Sequence, residues 1–224
     1  QKAKNHCQKS ERKGETTIFE VLGLYCLLTD SLSTPSAKAF WQHTGLGASS
    51  RLAEIALDRE KAPLASDAKK AREILLQRLS NIYSCPTKNI SLHPSGMAAL
   101  TSALEIIKVL HPNSPTLQLG FPYVDVLKLP QVIFQGSHLL LETDPIHLAK
   151  EFDRKQPAAV IVELPSNPML QCIDLQKVSQ LAHERGILVI ADDTIGSAVN
   201  IESLPYADLI FTSLTKSFAG RGDI

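Results

Sequence analysis

The spacing of apolar residues changes several times along this chain, and each change marks an element. Ala71, Ile74, Leu75, Leu79 and Ile82 recur at helical spacing behind a Ser66-Asp67 cap. Asn89-Ile90-Ser91-Leu92-His93 predicts a short strand, and the turn Pro94-Ser95-Gly96 leads into a second helix through Met97, Leu100, Leu104 and Ile107. Residues 116–120 predict the next strand, residues 123–129 a short helix, and residues 145–154 a helix with proline in its first turn. Ala158-Ala159-Val160-Ile161-Val162 and Ile187-Leu188-Val189-Ile190-Ala191 are apolar at every position. Such runs are buried on both faces, as in a parallel sheet covered by helices. Residues 175–185 form the crossover helix between them, stopped by Gly186. Repeated strand–helix–strand units predict an α/β fold with an open, mostly parallel sheet, which binds ligands at the carboxyl ends of its strands.

Residues 1–65 are less regular and predict an arm over the sheet or over a neighbouring subunit, with the domain proper at 66–224. The basic stretch 1–13 precedes an apolar run, residues 18–28, in loose likeness to a signal peptide. Glu20 interrupts that run, and it is too short to span a bilayer. The reading preferred is an amphipathic arm or helix packed on a partner subunit.

Composition narrows the class. The 224 residues suffice for one sizeable core, and 44% apolar with 21% charged residues is ordinary for a globular protein. Lys plus Arg equals Asp plus Glu at 23 each, so no net field draws the chain to nucleic acid or to an anionic membrane. Cys7, Cys26, Cys85 and Cys172 are scattered without CxxC spacing. That argues against a zinc site and a disulfide framework, and for a cytoplasmic protein with reduced thiols.

The candidate chemistry sits just past the strands. Lys216 follows the apolar run 209–211, with Ser213 and Thr215 at minus three and minus one. A lysine partly desolvated at a strand mouth is a usable nucleophile, and flanking hydroxyls can hold an anion beside it. An amine beside a phosphate cradle is what a pyridoxal 5'-phosphate Schiff base requires. Ser95-Gly96-Met97 opens a helix whose first amides and dipole suit a phosphate; it also reads as an ordinary serine cap. Asp192-Asp193-Thr194 ends the second apolar strand. One carboxylate there could keep a pyridine nitrogen protonated, or merely cap a turn; no His or Glu cluster lies nearby in sequence to make it a metal site. The loop Glu163-Leu164-Pro165-Ser166-Asn167-Pro168 holds Ser166 and Asn167 between two prolines. Tyr123 could stack on a planar ring or lie in the core. The Gly/Ser loop 43–51 ends in Arg51, a possible second phosphate clamp.

In this order the motifs resemble the Cys/Met-metabolism family of pyridoxal phosphate enzymes, the cystathionine gamma-synthase-like group of fold type I. Gly120-Phe121-Pro122-Tyr123-Val124-Asp125 and Thr215-Lys216-Ser217-Phe218 look most like its fungal branch. The resemblance runs from about Trp41 to the end and implies an aminotransferase-like three-layer sandwich. It implies Lys216 as the Schiff-base lysine and proton shuttle, Asp192 at the pyridine nitrogen and Tyr123 over the ring. Gly96, Met97, Ser213 and Thr215 would hold the phosphate, and Asn167 would touch the ring oxygen. Arg51 would reach the phosphate of a neighbouring subunit in a homodimer or tetramer.

The activity implied is trans-sulfuration, the γ-replacement on an activated homoserine by a thiol such as cysteine, on the way to methionine. Alternatives are a β- or γ-lyase, a carbon–carbon-forming relative, or a non-catalytic paralogue. Three departures stand out. Ser49 occupies a position where the family usually has Tyr, and Asp193 stands where Asn is common. The chain also stops at Ile224, where the family continues into a small carboxyl-terminal domain that supplies an arginine for the substrate carboxylate.

Overall fold

The computed structural model describes residues 1–11, 13–134 and 136–218. Its centre is a five-stranded, wholly parallel sheet in the order β4-β3-β5-β6-β7. The strands are β3 (Thr116–Leu119), β4 (Ser137–Leu140), β5 (Ala159–Glu163), β6 (Leu188–Asp192) and β7 (Leu209–Phe211). Alternation along β5 divides the core in two. Val160 and Val162 pack with Leu148 and Phe152 of α7 (Pro145–Lys155) and with Val178 and Ala182 of α8 (Leu175–His183). Ala159 and Ile161 face the opposite layer, Leu100, Leu104 and Ile107 of α5 (Gly96–Leu110) and Val126, Leu129 and Ile133 of α6 (Val124–Ile133). Both faces of the central strands are therefore covered, which explains their unbroken Val/Ile runs. The result is the three-layer α/β sandwich expected.

The strand after β3 lies to one side of it and β5 to the other. Such a reversal leaves a crevice at the carboxyl ends of β3 and β5, where open α/β sheets bind ligands.

Two expectations fail locally, and one strand was not predicted. Residues 89–93 are not a strand: a single 3₁₀ turn, Thr87–Asn89, precedes an extended segment that pairs with no strand. Alternation alone cannot make a strand where no neighbouring edge is free. Conversely, β4 escaped notice because it is a short edge strand, Ser-His-Leu-Leu, which needs only partial burial. The apolar run at 18–28 is not a helix but a hairpin, β1 (Thr16–Val21) paired antiparallel to β2 (Leu24–Thr29). Leu22 and Gly23 turn it at φ of 50° and 76°, the two positive values a tight hairpin turn requires, and Thr, Ile, Phe and Val favour strand.

Around the hairpin lie α1 (Lys2–Lys9), α2 (Thr34–Thr44), α3 (Ser50–Ala56) and α4 (Ala65–Tyr83). Helix α4 begins one residue before the predicted Ser66-Asp67 cap, with Leu64 at its N-cap. The end of α2 is bonded to α5: the Thr101 hydroxyl donates to the Thr44 carbonyl at 2.8 Å. Past β6 and β7 come two single-turn helices, α9 (Ser197–Asn200) and α10 (Leu214–Ser217). No helix among the described residues is long and apolar enough to cross a membrane.

Candidate active site

Three chain segments meet where α5 begins. Ser95 caps the helix, its hydroxyl accepting from the Ala98 amide at 3.1 Å. The amides of Gly96 and Met97 fall in the first turn, where no helix carbonyl can reach them. A Cβ on Gly96 would stand 3.1 Å from the Ser213 Cβ and 3.3 Å from its Cα, so the missing side chain is what admits Ser213. Ser213 is held there in turn, its amide donating to the Thr194 hydroxyl at 3.0 Å. The Thr194 amide donates to Asp192 Oδ1 at 3.1 Å. A continuous path thus joins the α5 amides, Ser213 at the mouth of β7 and Asp192 at the end of β6.

Asp192 is 4% exposed, and burial raises its carboxyl above the usual range. Its partner in strand register is Glu163, the last residue of β5. Burial first, and then the Asp192 charge, push the Glu163 carboxyl up to about 7, against the opposing pull of the Tyr123 and Asn167 amides. Asp193 faces elsewhere: fully buried, it accepts the Tyr83 hydroxyl at 3.0 and 3.2 Å, and desolvation raises it to about 6. The adjacent acids of this pair therefore have different surroundings, with Asp192 bonded to the Thr194 amide and Asp193 tied to the end of α4.

Tyr123 caps α6 beside the crevice. Its amide donates to Glu163 Oε2 at 2.5 Å, across the gap between β3 and β5. Its hydroxyl donates to Asp125 Oδ2 at 2.8 Å, and Asp125 Oδ1 lies 2.8 Å from His43 Nδ1. The ring is half exposed, so the alternative of a core tyrosine is not realised. In the loop after β5, Ser166 is buried and its hydroxyl accepts from the Gln171 amide at 3.2 Å, while Asn167 is exposed. A polar cavity of about 400 Å³ opens at the same edge, lined in part by Gly120, Phe121, Glu163 and Ser166.

Lys216 sits in α10, its amide donating to the Ser213 carbonyl at 3.1 Å. Its side chain is exposed, not partly desolvated as expected, because β7 gives way to a turn that carries it clear of the strand. Thr215 stands beside it, half-buried. Arg51 is exposed in the first turn of α3. Glu163, Asp125 and His43 were not singled out from sequence. Glu163 was visible as an acid closing an apolar strand, as Asp192 does, whereas nothing local ties His43 to Asp125, 82 positions away.

First-turn amides with the Ser213 hydroxyl suit an anion, the buried Asp192 suits a cationic ring nitrogen, and a half-exposed tyrosine offers a flat face. This donor set, with a cradle that any Cβ on Gly96 would fill, fits a phosphorylated pyridine aldehyde. An α/β sandwich with these groups at its carboxyl edge belongs to the fold type I pyridoxal phosphate enzymes. Within that class the chain belongs to the Cys/Met metabolism PLP-dependent enzyme family, whose model matches residues 68–224. Pyridoxal phosphate is the cofactor of that family.

The chain is 28% identical to the cystathionine gamma-synthase-like enzyme iboG2 of Amanita muscaria, over 97% of this chain and 48% of that protein. It is 32% identical to the cystathionine gamma-synthase of Saccharomyces cerevisiae, over 62% of this chain and 25% of that one. It therefore spans about half the length, or less, of these curated relatives. The crystal structure of cystathionine gamma synthase from Xanthomonas oryzae pv. oryzae, in complex with aminoacrylate and cysteine, shares the fold. Its TM-score is 0.56 at 24% identity, over 68% of this chain and 40% of that one.

Proposed function

We propose that this protein catalyses γ-replacement on an activated homoserine by a thiol, as a cystathionine gamma-synthase does. The observation that carries the proposal is the convergence of the Gly96 turn, Ser213 and Asp192 at one sheet edge, together with the likeness to cystathionine gamma-synthase sequences. When bound, pyridoxal phosphate supplies an electron sink for the negative charge left on a substrate carbon after proton loss.

The Gly96 and Met97 amides, with the Ser213 and Thr215 hydroxyls, would hold the phosphate at the positive end of the α5 dipole. Asp192 would pair with the ring nitrogen, a cationic partner that would offset the cost of burying its charge. Tyr123 would cover the ring face, and Asn167 would donate to the ring oxygen. Lys216 would provide the attaching amine and carry protons to and from the substrate carbons, a role typically worth about 10²–10⁴-fold. Its exposure leaves it free to swing between those positions. In the net reaction the thiol sulfur bonds to Cγ, the acyl group leaves as its acid, and the thiol proton balances it.

Oligomer formation belongs to the same proposal. Tyr25 and Leu28 of the hairpin, Trp41 of α2 and Ile74 and Leu75 of α4 are exposed apolar residues, enough for a homodimer or tetramer in which Arg51 serves a neighbour's phosphate. All four cysteines are free, as suits the cytoplasm. The test is to supply the purified protein with pyridoxal phosphate, an O-acyl homoserine and cysteine, and to follow the thioether. Cystathionine is expected; 2-oxobutyrate and ammonia without thioether would overturn replacement in favour of elimination.

A further inference from the structure

Tyr123 is held at both ends by acids from different elements. Its amide is bound by Glu163 of β5 at 2.5 Å and its hydroxyl by Asp125 of α6 at 2.8 Å. Asp125 is itself 8% exposed and lies in the first turn of α6, where the helix dipole favours a carboxylate. Its second oxygen meets His43 Nδ1 at 2.8 Å. His43 belongs to the last turn of α2, an element far away in sequence that packs along α5 and α6. An ionised carboxylate only accepts, so both neighbours must donate to it: the tyrosine through its O–H, the histidine through Nδ1–H.

We infer that Asp125 and His43 are positioning residues for Tyr123, fixing its ring over the cofactor and keeping its hydroxyl as a neutral donor. The inference rests on the reading of Tyr123 as the ring-covering residue. A phenol that donates to a carboxylate cannot readily lose its proton, because the phenolate would face a like charge across 2.8 Å. The bond to Asp125, before burial, accordingly raises the Tyr123 hydroxyl above its ordinary value. Tyr123 is thus removed from service as a base, and proton transfer falls to Lys216. A half-exposed tyrosine would otherwise be free to rotate about two side-chain bonds; the three-residue chain Tyr123–Asp125–His43 removes that freedom before the cofactor arrives, which raises affinity by preorganisation. It also makes cofactor binding depend on the correct seating of α2.

Two measurements on the purified protein test this. The first is an alkaline titration of ¹³Cζ-tyrosine-labelled protein by NMR, without cofactor, with Tyr123 assigned from Tyr123→Phe. Asp125→Asn is expected to lower the pH at which Tyr123 ionises, and His43→Gln to lower it less. No movement in Asp125→Asn would overturn the inference, whatever the cofactor does.

The second is the dissociation constant for pyridoxal phosphate in a double-mutant cycle. Asp125→Ala, which removes the acceptor itself, and Tyr123→Phe are each expected to weaken binding about threefold to tenfold, one hydrogen bond's worth, and the double variant no further than either alone. Losses that multiply would show that the network does not position the ring, and would also overturn it. Tyr123→Ala reports separately on the underlying reading: unchanged affinity there would mean that Tyr123 does not cover the cofactor, and the inference would fall with that reading.

Discussion

Among single residues, Lys216 would have the most demanding task in the proposed reaction, and it is exposed. Burial was expected to make it nucleophilic, yet its side chain is exposed among the described residues. What distinguishes it from the chain's other lysines is location: α10 carries it one turn from Ser213, which touches Gly96. Borohydride reduction of the cofactor-loaded protein should therefore attach pyridoxyl phosphate to Lys216 alone, and Lys216→Ala should abolish the label while leaving residual phosphate-dependent binding. Peptide mapping that put the label on Lys128 or Lys177 would overturn the assignment. That Asp192 and Gly96 end or begin an element, and that Lys216 lies just past a strand, was legible in sequence because strand ends can be read from hydrophobic runs. Asp125 and His43 were not, since their significance lies in a contact that only the packing of α2 on α6 creates.

Between elements, the decisive junction is that of α5 with the mouth of β7. Alanine at position 96 would gain up to about 1 kcal/mol in helix propensity. Its Cβ would also press on the Ser213 backbone at 3.3 Å, and forced shifts of that kind cost about 1–3 kcal/mol. The cost equals or exceeds the gain, and a displaced Ser213 would no longer share the phosphate with the α5 amides. Gly96→Ala should thus lower stability by up to about 3 kcal/mol and weaken pyridoxal phosphate binding about tenfold or more, as read by equilibrium dialysis. Unchanged affinity would show that the two segments do not hold the phosphate together. Elements with a strong period, the buried strands and α5, α7 and α8, could be located from sequence to within a few residues. The hairpin and β4 could not, because strands paired on one side or half exposed carry a broken or short apolar run; Gly23 in the middle of the 18–28 run was the available signal for the hairpin.

For the molecule as a whole, the sheet's carboxyl edge stores acid–base stress that stability should register. Glu163 titrates at about 7 in the fold against 4.5 ordinarily, chiefly because burial disfavours its charge. Between those two values the folded state holds a proton that the unfolded chain has released. Stability from this group is therefore greatest below about pH 4.5, falls as pH rises, and reaches its minimum above 7. Asp193, raised to about 6, acts in the same direction over a lower window. Glu163→Gln removes the charge while keeping an oxygen that can accept the Tyr123 amide. The cofactor-free variant should thus gain on the parent as pH rises from 5 to 8, by roughly 1–3 kcal/mol, the equivalent of one to two pKa steps. Urea unfolding at the two pH values measures the difference. A constant gap would mean that Glu163 is ionised throughout and carries no buried-charge penalty. A growing gap would mean that the parent retains a destabilising carboxylate where the Tyr123 loop crosses to β5, a cost that a structural role alone does not require and that a cationic ring at Asp192 would relieve.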